Sequence, residues 1–591
     1  MWKLMRNLSR NKGSVAVAVL LMLTNNVLSL VLPMLMQSII NDGVSGKDLS
    51  FIWRQGLQML ALSVCAMFAA LAGSYFTAKV AMGFGRDIRQ AIFYKVESLS
   101  QCDIDKIGTS SLITRSTNDA RQVQDMVMMM LRIMINAPIM LVGGTIMALR
   151  TNAQLSSVLL VAVPIIAGVA VLVSKKVLPM FRRIQKMTDK LNQLLREKIS
   201  GIRVIRAFNR SDYEDARFRE SNLDLTGLAL RAHRILAALI PFATFMLFFM
   251  ILGLLALAAG QLQLLDPAVE AERLKIVNIV GDMSAFMVYL VMIIFSVVMA
   301  AALFVMLPRA AVSAKRINEV LETETDIREP GQEAGSGTKA ASLLTGHLSF
   351  ENVTFTYPGA AEATVRDISF EAVTGGTTAI IGGTGCGKST LVNLIPRFYD
   401  VSGGRILLDG TDVREMPTHD LRQKIGFVPQ QAFLFSGTVA DNLRFGKEDA
   451  TEAELWEALR IAQAAEFVEK LPNGLSDMIS QSGKNLSGGQ KQRLAIARAI
   501  IRRSEIYVFD DSFSALDYTT DAKLRKALQE TLAGATLLIV AQRIGTILQA
   551  DRIVVLDEGG IVGIGRHKEL LQSCPTYREI ALSQLPEEEI S

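Results

Sequence analysis

The residues Gly382–Thr390, GGTGCGKST, have the G-x-x-x-x-G-K-[ST] spacing of a polyphosphate cradle. They follow the apolar run TTAII and precede the helical LVNLIPRF, which is the context the motif needs. Gly382, Gly383, Gly385 and Gly387 would let backbone N–H groups approach phosphate oxygens, with Thr384, Cys386 and Thr390 completing the stretch. Lys388 would reach the β- and γ-phosphates, and the Ser389 hydroxyl would bind Mg²⁺. The helix N-terminus adds its positive end. In IYVFDDSFSALD (506–517), Asp510 ends a second apolar strand, as the carboxylate that holds the Mg²⁺ shell should. Between the two lies LSGGQKQR (486–493), where a glycine pair after Ser487 opens a helix and makes an anion-binding nest.

These residues need strands to carry them. Short apolar runs such as TTAIIGG, RILLDG, IYVFDD, TLLIVAQ and RIVVLDEG alternate with helical segments after residue 346. That alternation predicts an α/β domain over 346–585, followed by an acidic tail at 586–591. The stretch 322–345 is polar and rich in Gly and Pro, and reads as a linker.

Residues 1–321 are different. The chain has 591 residues, half of them hydrophobic, and most long apolar runs lie before residue 310. About 20 apolar residues span a bilayer as helix. Six spans are expected near 14–40, 55–82, 126–149, 153–178, 235–260 and 276–306. The first is too long for the apolar region of a secretory signal. The stretches FGRDIRQAIFYK and SKKVLPMFRRIQKMTDKL are basic, so the positive-inside rule places both termini in the cytoplasm, and the long loops at 83–125 and 179–234 read as helical extensions there. The fold class expected is therefore a multidomain membrane protein: a six-helix all-α transmembrane domain followed by an α/β P-loop nucleotide-binding domain.

The spans hold the polar residues Asn25, Asn26, Asn136, Arg132 and Asp282; charge in a bilayer core is costly, so Arg132 and Asp282 are either candidates for transport roles or placed near the interface. Methionines at 126, 128, 129, 130, 283 and 287 would suit an adaptable cavity as well as plain core filling. The net charge of +5 carries no nucleic-acid signal. The four cysteines form no ligand spacing, so neither a disulfide framework nor a zinc site is expected.

Taken with the phosphate loop and the acidic strand, LSGGQ makes the chain resemble a half-transporter of the ATP-binding cassette exporters over nearly its whole length. The resemblance implies ATP and Mg²⁺ as ligands and further site residues. Tyr357 in FTYPG would stack on adenine, and Gln430 in VPQQAFLFSGTVADN would be the Q-loop glutamine, near the metal. Ser487, Gly488, Gly489 and Gln490 would be the signature, and Asp517 in SALD the D-loop aspartate. It also implies that Asn118–Gln122 and Phe208–Asp212 touch nucleotide-binding domains, the second of them the partner's.

Three positions depart from the family pattern. The catalytic glutamate beside Asp510 is Asp511, the switch histidine is Gln542, and Gln481 replaces a glutamate ahead of the signature. Aspartate is one methylene shorter, and a misplacement of about 1 Å can cost roughly 100-fold in rate. Gln542 cannot titrate as histidine does, but it can still donate a hydrogen bond. The expectation is a heterodimer with a second half-transporter. This chain's own site would bind ATP and hydrolyse it slowly, while its intact signature completes the partner's active site. The expected function is export of a small amphipathic or hydrophobic substrate, multidrug-type, across a bacterial inner membrane. Alternatives are a homodimeric exporter in which Asp511 serves as base, an importer of exporter architecture taking up siderophores or vitamins, and a regulated channel or regulatory subunit.

Overall fold

The computed structural model describes residues 2–5, 12–263, 265, 269–327, 329 and 345–584. Most of the expected linker at 322–345 and the acidic tail at 586–591 lie outside the described residues. The chain divides into two compact units, Met1–Glu97 with Gly108–Thr323, and Ser98–Ile107 with Glu324–Ser591.

The first unit is helical. Among the described residues six helices are long and apolar enough to cross a membrane: Lys12–Val44, Leu49–Glu97, Thr109–Thr151, Ser157–Ser200, Ser211–Leu262 and Glu272–Ala300. Helix is the form that satisfies every backbone N–H and C=O within one segment in hydrocarbon. Leu49–Glu97 has 49 residues. At about 1.5 Å per residue such a helix is more than twice the roughly 30 Å of a bilayer core. The helices thus continue well past the membrane, as the few Gly and Pro breaks in the loops predicted.

Polar side chains inside this unit pair with one another. Asn26 Nδ2 donates to Asn136 Oδ1 at 2.9 Å. Asp282 accepts from Gln37 Nε2 at 2.6 Å and from Asn152 Nδ2 at 3.2 Å, so one buried carboxylate ties three segments. Asp119 accepts from Ser313 Oγ at 2.7 Å within the helical unit. The segment that groups with the second unit is Ser98–Ile107. There Ser100 Oγ accepts from Asp103 N–H and donates to Asp103 Oδ2, a capping arrangement that starts the short helix Gln101–Ile107.

The second unit is built on two main sheets. Strands β1 (Leu348–Phe355), β2 (Val365–Ala372), β4 (Gly403–Leu408) and β5 (Thr411–Asp412) form an antiparallel sheet in the order β2-β1-β4-β5. Strands β3 (Thr377–Gly382), β6 (Ile425–Val428), β9 (Ile506–Asp510), β10 (Thr536–Val540), β11 (Arg552–Asp557) and β12 (Gly560–Gly565) form the second, in the order β12-β11-β3-β10-β9-β6. All but β12 run parallel. A small two-stranded antiparallel sheet pairs β7 (Gly437–Thr438) with β8 (Met478–Ile479). Every residue of β9 and β10 is buried, because helices pack on one face and the antiparallel sheet with the helix Lys388–Asn393 packs on the other, and such strands read as unbroken apolar runs.

A nucleotide site at the ends of four parallel strands

The candidate site lies where β3, β6, β9 and β10 end. In open α/β sheets ligands bind beyond the carboxyl ends of the strands. The phosphate loop leaves β3, Gln430 follows β6, Asp510 ends β9, and Gln542 follows β10. Each side chain is therefore aimed by a strand terminus.

The loop geometry requires its glycines. Gly385 and Gly387 have φ of +86° and +96°, in the left-handed region that favours glycine. A Cβ on Gly387 would sit 2.9 Å from the Thr364 carbonyl oxygen, and one on Gly382 would sit 2.1 Å from that of Leu556. Thr384 and Gly385 form the turn at the tip, Gly383 bends the chain into it, and Cys386 is buried beneath. Lys388 Nζ donates to the carbonyl oxygens of Gly382 and Gly383, at 2.8 and 2.6 Å. Its ammonium is thus held on the loop's own backbone.

Ser389 Oγ donates to Asp510 Oδ1 at 3.0 Å. Hydroxyl and carboxylate make an oxygen-only donor pair, which fits a hard divalent cation. Burial raises the Asp510 carboxyl above its ordinary range, and the Ser389 hydrogen bond opposes that shift. Next to it, Asp511 Oδ2 accepts from Gln542 Nε2 at 2.9 Å and from Gln430 Nε2 at 3.3 Å. Burial raises the Asp511 carboxyl as well, against the Gln430 hydrogen bond. Two neutral amides thus hold this carboxylate. Two of the three residues that depart from the pattern, Asp511 and Gln542, are thus bonded to each other, and Asp511 also to the Q-loop glutamine.

Tyr357 follows β1, and its hydroxyl lies 3.2 Å from Thr390 Oγ1. Its ring packs edge-on against Tyr399, with centroids 5.4 Å apart, and the Tyr399 hydroxyl donates to Asp105 Oδ2 at 3.0 Å. The aromatic expected beside the base is therefore one ring away from the segment Ser98–Ile107.

The signature residues make a separate bonded group. Ser487 caps the helix Gly488–Ile500: its Oγ accepts from Gln490 N–H, while Gln490 Oε1 accepts from Ser487 N–H. Gln490 is thus engaged in holding the helix start. Gly489 lies against the D-loop, where a Cβ would be 3.1 Å from the Ala515 carbonyl oxygen. Asp517 caps the helix Tyr518–Thr531 by accepting from Thr520 N–H, and that backbone bond lowers its carboxyl. Ser487 and Gly488 are exposed, so the nest faces outward.

Sequence reading missed Gln584. Its Nε2 donates to the Gln542 carbonyl oxygen, and its Oε1 accepts from Ile544 N–H, each at 2.8 Å. The helical unit holds a second candidate site, a cavity of about 710 Å³ lined by Ile133, Ala137, Leu141, Val171 and Ser296, with Lys175 its one charged residue. Met134 is among its described lining residues, and the methionines at 126, 128, 129, 130, 283 and 287 are not.

Two family models match the chain: ABC transporter transmembrane region over residues 15–264, and ABC transporter over residues 365–514. An uncharacterized ABC transporter ATP-binding protein of Mycobacterium tuberculosis is 43% identical over 581 residues, covering 96% of each chain. An ATP-dependent lipid A-core flippase of Chromobacterium violaceum is 30% identical over 561 residues, covering 94% of this chain and 92% of its own. The solved structure of a bacterial Atm1-family ABC exporter with ATP bound has the same fold, with a TM-score of 0.76 over 96% of this chain and 97% of that one, at 22% identity.

Proposed function

Because this chain belongs to the ABC transporter family, a multi-pass membrane protein whose membrane and ATP-binding regions are fused as in the exporters, we propose that it is one half of a heterodimeric exporter. Its own phosphate loop holds ATP with little hydrolysis, and its signature completes the partner's active site. The observation that carries this reading is Asp511, whose Oδ2 is shared by Gln542 and Gln430. A base must be free to take a proton from water and oriented toward it. A short carboxylate held by two amides is poorly placed for that task.

Several further residues support the arrangement. Lys388, together with the backbone of Gly382–Gly387, would bind the phosphates, and Tyr357 the base. Mg²⁺, when bound, would neutralise charge on the γ-phosphoryl oxygens, and Ser389 and Asp510 are the residues that would hold it, Gln430 through water. The outward-facing Ser487 and Gly488 suit a head-to-tail partner. So does a cavity of about 360 Å³ in the second unit, lined by Phe433, Phe435, Phe445 and Arg498, which would receive the partner's loop equivalent to Phe208–Asp212. The apolar cavity of the helical unit suits an amphipathic or hydrophobic substrate. The basic stretches support a topology with both termini in the cytoplasm.

ATP turnover by the purified chain, alone and paired with a half-transporter carrying glutamate and histidine at the matching positions, tests the proposal. Slow turnover alone and fast turnover in the pair are expected. Brisk hydrolysis by a homodimer of this chain would overturn it and favour Asp511 as a working base.

A further inference from the structure

Gln584 is the last described residue, and its carboxamide binds the segment that carries Gln542. Both flanks of that segment are fixed without it. Ala541 N–H donates to Ile380 O of β3 at 3.1 Å, and Gly545 O accepts from Arg525 Nη1 at 2.9 Å. Between those anchors, Gln584 takes the carbonyl of residue 542 and the N–H of residue 544 with the two ends of one planar amide. Gln542 in turn donates to Asp511 Oδ2 at 2.9 Å.

We propose that Gln584 is a positioning residue of the nucleotide site, acting through Gln542. Held at 542 and 544 together, the backbone cannot rotate about Arg543, so the Gln542 side chain leaves it in one direction. That direction meets Asp511 and, with nucleotide bound, the region of the γ-phosphate. The segment just past the helix Pro575–Leu582 thereby sets the geometry of a residue 42 positions earlier. The proposal rests on the reading that this chain's own loop holds ATP. It does not depend on the heterodimer or on transport.

Gln584 and Gln542 are both exposed, so their substitution leaves the core intact. The test uses the full chain in lipid nanodiscs and follows release of a fluorescent ATP analogue with Mg²⁺. Variants Q584A, Q542A and the double variant form a cycle. Q584A is expected to speed release about three- to tenfold, the scale of one or two neutral hydrogen bonds. Q584M, which keeps the bulk and loses both bonds, is expected to behave as Q584A. In the Q542A background Q584A is expected to add nothing, since the side chain it aims is gone. An unchanged release rate in Q584A, or the same acceleration in both backgrounds, would overturn the proposal while leaving the ATP-holding reading in place. Failure of the unaltered chain to bind the analogue would overturn both.

Discussion

A single methylene separates the residue at 511 from the family's glutamate, and its surroundings make that difference matter. Glutamate at 511 would project its carboxylate beyond the position where Gln542 and Gln430 now hold Asp511 Oδ2. The pair D511E with Q542H is therefore expected to raise turnover at this chain's own site by on the order of 10- to 100-fold, measured as phosphate release from the chain alone. Either change alone is expected to gain less, because the two side chains are bonded to each other. Acidity offers a second measurement. Burial raises both Asp510 and Asp511, so the folded chain holds protons that the unfolded chain releases. Their protonation contributes stability that is complete below the unfolded pKa and is lost as pH rises through the folded one. The nucleotide-free chain should therefore gain thermal stability on acidification through that window. Mg²⁺-dependent nucleotide binding should fall in the same window, at a pH above the ordinary carboxylate range, because the cation needs Asp510 ionised.

Strand ends and helix starts decide how much of this could be read in advance. The phosphate loop, Asp510 and the capped signature were legible because each is a short run whose neighbours in sequence are its neighbours in space. Gly382 shows how tight the loop is: G382A would drive a methyl into the Leu556 carbonyl of β11, 2.1 Å away. A loss of roughly 1–3 kcal/mol is expected in thermal or denaturant unfolding of the purified chain. Contacts between distant elements were not legible. Asp282 finds Gln37 across 245 positions and Asn152 across 130, and only the packing of the helices brings them together. The segment that groups with the nucleotide-binding unit is Ser98–Ile107, which the sequence did not single out. Its one local signal was the S-x-x-D pattern at Ser100–Asp103, which opens a short helix after the long one ends at Glu97. Gln584 left no signal at all, since an amide's two partners follow from where its helix ends.

Across the whole chain the two bonded groups of the nucleotide-binding unit should differ in what they control. The phosphate-loop group serves this chain's own ATP; the Ser487–Gln490 group faces away from the chain. In the paired transporter K388A is expected to lower total turnover by a few-fold at most. G489E should reduce it to near background, because it places a carboxylate beside Ala515 in the nest that, under the proposed pairing, would complete the fast site. Equal losses from the two substitutions would show two equivalent sites and would remove the case for an unequal pair.

Lys388 gives the nucleotide site one more property. Its ammonium is already bonded to two carbonyl oxygens of the loop. An arriving triphosphate thus takes part in an exchange, in which one set of oxygens replaces another around the ammonium. Affinity is then the small difference between two well-satisfied states, and a ligand reaching the lysine with fewer oxygens can be displaced by the loop itself. The cradle carries its own competitor, one that is always present at the same local concentration.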